Sequence, residues 1–156
     1  MKEKVFVQYK QVDISTKPVV YREATASGRI RLKPRTMGLI REGALEKGDP
    51  VALASTAAIL AVKLTPSIVA LAHPLKVERT EPVVKLGKDW IDVTVTVAAH
   101  EKTGVEMEAL TAVSVALLNI WDVVKAYEKD SDGQYPSTAI ERIRVTNKVK
   151  RRSATA

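Results

Sequence analysis

Residues 105–128, VEMEALTAVSVALLNIWDVVKAYE, carry apolar side chains at helical spacing: Leu110, Val113, Leu117, Ile120, Trp121 and Val124. Ala109, Ala112 and Ala116 lie between them and permit another element to approach closely. A helix this long and apolar is stable mainly through what covers it, so it has to form the spine of a packed domain. The run Trp90–Val97 offers a matching surface. Ile91, Val93, Val95 and Val97 alternate with Asp92, Thr94 and Thr96, the two-residue period of a strand with one buried face. With Val77–Leu86 ahead of it and Gly87, Lys88 and Asp89 between, this run predicts a β-hairpin.

The remaining segments fall around that pair. Val5, Val7 and Tyr9, and then Val19–Leu32, read as strand material, with Gly28 marking a bulge or turn. Met37, Ile40 and Leu45 after Pro34 predict a short helix closed by Glu46, Lys47 and Gly48. Asp49-Pro50 starts a second helix, because aspartate caps free amides and proline tolerates the first helical position. Thr65-Pro66 repeats that signal, so the helix should end or kink there, and a short one, PSIVALA, should deliver Ala72, His73 and Pro74. DSDGQYPST is a loop by composition, Ile140, Ile143 and Val145 predict a short last strand, and a flexible basic tail follows from about residue 149. The order β, β, α, α, β, β, α, β makes the chain α+β, an antiparallel sheet with helices packed on one face, in a single domain over 1–156.

Composition removes several chemistries. The chain has no cysteine and two histidines, which excludes disulfides, thiolate catalysis and iron–sulfur ligation and leaves little for a histidine metal site; no metal ligands are assigned. Its uncharged runs reach about 13 residues, short of the roughly 20 that span a bilayer, so a soluble cytoplasmic protein is expected. The net charge of +7 favours an anionic partner: nucleic acid, a phosphorylated metabolite or a membrane surface.

Among polar residues, Glu108 and Asp122 stand at opposite ends of the long helix, about 21 Å apart along its axis and within about 40° of one face. One compact substrate cannot easily touch both, so they serve different sites or a second subunit joins them. Asp122 and Lys125 are three apart and can exchange protons, or form an ordinary exposed ion pair. Glu106 and Glu108 suit the first-turn dipole as well as a ligand. His73 fits a hydrogen-bonded core position or a site, and Lys47, Lys63, Arg22 and Lys33 fit solvated cations or anion contacts. No single motif names a reaction.

The stretch KTGVEMEALTAVSVALLNIWDVVKA, however, closely resembles the signature helix of the MoaC family of molybdenum-cofactor biosynthesis. Similar segments occur in order: VDIS with VYREATASG, then KGDPVALASTAAILAVKLT, then LAHPL, covering most of residues 12–128. The resemblance implies a ferredoxin-like fold and a homohexamer, a trimer of dimers with sites at the dimer interface. It implies conversion of 3′,8-cyclo-7,8-dihydro-GTP to cyclic pyranopterin monophosphate with release of pyrophosphate, and neither nucleic acid nor membrane as partner. No cofactor is required by it, and a divalent cation such as Mg accompanying the triphosphate is compatible with it.

By residue, the resemblance implies catalytic roles for Asp122, Lys125 and Lys47. Leu71, Ala72, His73, Met107, Glu108 and Glu106 match substrate-binding segments, and Lys63 and Arg22 match basic positions suited to the triphosphate. Three positions depart from the pattern: Ala72 stands where many members have cysteine, Leu64 where arginine is common, and RVTNKVKRR replaces a lysine- and glycine-rich C-terminal segment. Lys148 or Lys150 is the candidate to replace the lysine of that segment. The rival reading is a nucleic-acid- or nucleotide-binding protein without catalysis, or a subunit that has lost activity. One phenylalanine, two tryptophans and four tyrosines leave few platforms for stacking bases.

Overall fold

A computed structural model describes residues 8–152. Its elements are β1 (Val20–Arg31), α1 (Pro34–Glu42), α2 (Pro50–Ile68), β2 (Arg79–Leu86), β3 (Trp90–Glu101), α3 (Glu106–Glu128) and β4 (Ala139–Arg151). The four strands form one antiparallel sheet in the order β2-β3-β1-β4, so the chain is α+β, and the topology is compatible with a ferredoxin-like arrangement.

The alternation in β3 works as predicted: Ile91, Val93, Val95 and Val97 are fully buried, and Asp92, Thr94 and Thr96 are half-buried on the other face. Ala24, Ala26 and Ile30 of β1 share the apolar side, and α3 closes it with Val113, Ala116, Leu117, Ile120 and Val124, all fully buried. Each large aliphatic side chain buried there contributes roughly 1.5–3 kcal/mol, which is why the helix–sheet contact dominates the fold. On length and composition alone α2 and α3 could each cross a membrane, but α3 supplies the core of this domain and α2 packs beside it.

Gly28 is not a turn. It lies in the middle of β1 directly beneath α3, where an added Cβ would fall 2.8 Å from Leu117 Cδ1, 2.8 Å from Val113 Cγ1 and 3.1 Å from Ile143 Cγ1. It does mark a bulge: the register of β4 against β1 shifts between Thr25 and Ala26 and again between Ser27 and Arg29, where Ile143 and Arg142, the latter at φ 60°, stand opposite Gly28.

Three segments differ from the sequence pattern. Val5 and Val7 lie outside the described residues, and Tyr9 is an exposed loop residue, 95% accessible, with no strand to pair with. Pro66 does not break α2. It removes one N–H in the last turn, where few further bonds depend on it, and the Val69 N–H still reaches the Thr65 carbonyl at 2.9 Å. The segment expected to form a second helix is therefore the end of α2 followed by a turn in which the Ala72 N–H bonds the Val69 carbonyl at 3.0 Å. The last strand is also long: Val149–Arg151 pair with Tyr21–Glu23, because β1 offers an unpaired edge along its whole length. Residues from 153 onward lie outside the described residues.

Filling the space at Gly28 should force α3 off the sheet. Gly28→Val is expected to lose about 1–3 kcal/mol in denaturant unfolding. Gly38→Ala, in α1 with nothing within 4 Å of the new Cβ, should gain up to about 1 kcal/mol in the same measurement.

Candidate active site

The two ends of α3 carry separate polar clusters. At the C-terminal end the Asp122 carboxylate stands between two ammonium groups, Lys125 Nζ 2.9 Å from Oδ1 and Lys47 Nζ 2.9 Å from Oδ2. Lys125 is one helical turn on. Lys47 arrives from the loop between α1 and α2, 75 residues earlier, and also donates to the Asp122 carbonyl at 3.0 Å. Hydrogen bonds from Lys125 and then Lys47 hold the Asp122 carboxyl below the usual carboxylate range, and the same contact pushes the Lys125 ammonium up. All three side chains are about half exposed, so the group is a charged, solvent-open triad.

At the N-terminal end, a cleft of about 400 Å³ is lined by Leu71, Ala72, His73, Met107 and Glu108 together with Lys10, Val12 and Lys17. The segment before β1 folds across it: His73 Nε2 lies 2.7 Å from the Val12 carbonyl, and Gln11 donates to the Ala72 carbonyl at 3.2 Å. Ala72 thus contributes backbone here, as its side chain requires. Glu108 is 2% exposed, and its Oε2 has no hydrogen-bond partner among the described residues. Burial pushes its carboxyl up, and the nearby Glu106 charge adds to that against its own backbone amide.

A second cleft of about 440 Å³ adjoins the first through Lys17, Thr103 and Gly104, and is lined further by Arg22, Lys102, Glu106, Lys148 and Lys150. The Glu106 carboxylate folds back over Gly104, into space that a Cβ at that position would occupy. Burial opposes the Glu106 charge, but the hydrogen bond from Lys148, its own amide and the charges of Lys148 and Arg22 outweigh it and hold this carboxyl low. Arg22 donates to the Lys102 carbonyl at 3.3 Å, while its buried Nε has no partner. Four lysines and an arginine lining one cleft, against a single carboxylate, suit an anionic ligand.

The structure therefore gathers Asp122, Lys125 and Lys47 in one place and Leu71, Ala72, His73, Met107, Glu108, Glu106 and Arg22 in another. Lys63 joins neither; it stands exposed on α2 and lines neither cleft. Lys17, Lys102, Lys148 and Lys150 were not singled out by spacing. Lys102 sits two residues before Gly104, where a loop entering a helix is a legible signal, whereas Lys148 and Lys150 reach the cleft only because β4 pairs them with Ala24 and Arg22.

A carboxyl whose pKa is raised by folding stabilises the protein below its unfolded pKa, and that contribution is lost as pH rises through the folded value. Glu108→Gln, neutral and of the same shape, should therefore be more stable than the parent at neutral pH. The difference should shrink towards the ordinary carboxylate range when thermal unfolding is followed against pH.

Comparison with known proteins joins these clusters to a family. The model for the MoaC family matches residues 11–150. A probable cyclic pyranopterin monophosphate synthase of Pyrococcus abyssi is 55% identical over 141 residues, 90% of this chain and 89% of the relative. One of Pyrococcus furiosus is 56% identical over 90% of each chain. A probable cyclic pyranopterin monophosphate synthase accessory protein of Methanothermobacter thermautotrophicus is 55% identical over 90% of this chain and 89% of its own. With the family model spanning β1 to β4 and both ends of α3, the chain belongs to the MoaC family.

Proposed function

We propose that this chain is a cyclic pyranopterin monophosphate synthase, a lyase of molybdenum-cofactor biosynthesis acting on 3′,8-cyclo-7,8-dihydro-GTP with release of pyrophosphate. The observation that carries the chemistry is the Asp122 carboxylate held ionised between Lys125 and Lys47. An ionised carboxylate accepts a proton, and a lysine held charged returns one or steadies negative charge developing on substrate. Ring opening and rebuilding need both. Lys47 is suited to the second role.

The N-terminal cluster suits holding. His73 and Glu108 offer hydrogen bonds to the pterin and ribose ends, with Leu71, Ala72 and Met107 as the walls of the cleft. Arg22 and the lysines beside Glu106 suit the phosphates, with Lys148 and Lys150 supplying the C-terminal contribution; Lys63, which lines neither cleft of its own chain, would reach the phosphates only from a neighbouring subunit. A divalent cation such as Mg would be carried on the phosphate oxygens.

About 21 Å of helix axis separates Glu108 from Asp122, too far for one compact substrate. A homohexamer built from dimers, with the N-terminal end of one α3 facing the C-terminal end of another, would bring the halves together. The enzyme works on a small metabolite in the cytoplasm, with neither nucleic acid nor membrane as partner.

Asp122→Asn and Lys125→Ala should each lower pyrophosphate release from the cyclised GTP derivative by roughly 10²–10⁴-fold, with the oligomer unchanged on a sizing column. Full activity in both would sink the site. Tight, steeply salt-dependent nucleic-acid binding without turnover would favour the rival reading. Mixing Glu108→Ala with Asp122→Ala subunits should restore activity if each site draws on two chains.

A further inference from the structure

Lys47 differs from Lys125 in how it is held. Lys125 is fixed to Asp122 by one turn of helix, but Lys47 sits in a loop and has no such neighbour. Two contacts from the last turn of α3 supply the missing constraint. The Glu46 N–H, one residue before Lys47, donates to the Tyr127 hydroxyl at 3.0 Å. Glu128, fully buried, accepts the Lys33 N–H at 3.0 and 3.2 Å, the Thr36 hydroxyl at 2.5 Å and the Thr138 hydroxyl at 2.9 Å.

These contacts bracket α1. Lys33 is its N-cap residue, with no side-chain cap of its own; the Glu128 carboxylate takes the amide of Lys33 itself and the hydroxyl of Thr36, tying the first turn of α1 to α3. At the other end Gly43 turns the chain in a left-handed conformation, φ 64°, and the Ala44 N–H closes on the Leu39 carbonyl at 2.9 Å. Leu45 is then buried, and Tyr127 catches the next amide. Lys47 is the next residue after this fixed point and meets Asp122.

We propose that Tyr127 and Glu128 form a two-point latch that sets the Lys47 ammonium on the Asp122 carboxylate, making them positioning residues for the reaction. The latch rests on the reading of Lys47 and Asp122 as reacting groups. A fully buried carboxylate held by three donors is costly to break, so Glu128 fixes the start of α1 firmly. Tyr127, half-buried and making one neutral hydrogen bond, adjusts its far end.

Tyr127→Phe in the full-length protein removes only the hydroxyl. Its Asp122 carboxyl, followed by carbon-detected NMR, should titrate higher than in the parent, part of the way to the value in Lys47→Ala. In pyrophosphate release kcat should fall roughly ten- to a hundredfold with KM changed less than about twofold. General loosening would raise KM and lower thermal stability without moving Asp122, and that result, or no change in Asp122 and kcat, would overturn the latch. Glu128→Gln should move the same two readouts in the same direction; if it does not fold, Tyr127→Phe alone decides. If Asp122→Asn retains full activity, the assignment of reacting groups fails, while the Asp122 titration in Tyr127→Phe still tests the latch.

Discussion

Everything in this molecule depends on how closely α3 lies on β1. At Gly28 the helix side chains Leu117 and Val113 occupy the space that any larger residue of the strand would fill. Because the strand offers no side chain there, the 23-residue α3 rests on the sheet through Val113 and Leu117, both fully buried. Once α3 is fixed in this way, its two ends are fixed too. One projects over the start of β1 and the end of β4, where Arg22, Lys148 and Lys150 stand. The other projects towards α1 and the loop carrying Lys47.

The two ends have opposite electrostatic characters. At the N-terminal end acids are drawn into the protein: Glu108 is buried with an unpartnered oxygen, and only Glu106 has a cation to balance it. Such groups are fixed in orientation and suited to gripping a ligand that brings its own donors. At the C-terminal end the carboxylate is exposed and balanced by two ammonium groups, which keeps protons available at a surface where a second molecule or a second chain can reach them. On the function proposed above, a single helix carries a holding end and a proton-moving end, and its rigidity sets the distance between them.

Much of this was legible from the residues. The period of α3 and the alternation of β3 fixed which faces are apolar, and Asp49-Pro50 marked the start of α2, where Asp49 caps the Val51 amide. Asp122 and Lys125 were legible as a pair because helical spacing is a local property. Pro66 misled because its local preference for a helix start competes with a helix already propagating, and near a C-terminus one lost N–H costs little. β4 was underread because its residues are mostly exposed and its bulges break the alternation, so its length comes from the free edge of β1 and not from its own composition.

By itself the sequence determined the elements whose signals are periodic or capped, the absence of thiol chemistry, and the charge pair within one turn of α3. It could not determine contacts made across the chain. Lys47 meets Asp122 only after α1 is clamped by Glu128 and Tyr127; Lys148 meets Glu106 only after β4 takes its register on β1; and Lys63, alike in sequence terms, is left outside both clusters. The physical reason is that helix and strand periods are written in neighbouring residues. Which distant cations face which carboxylates is decided by close packing, and here that packing turns on the space left by one glycine.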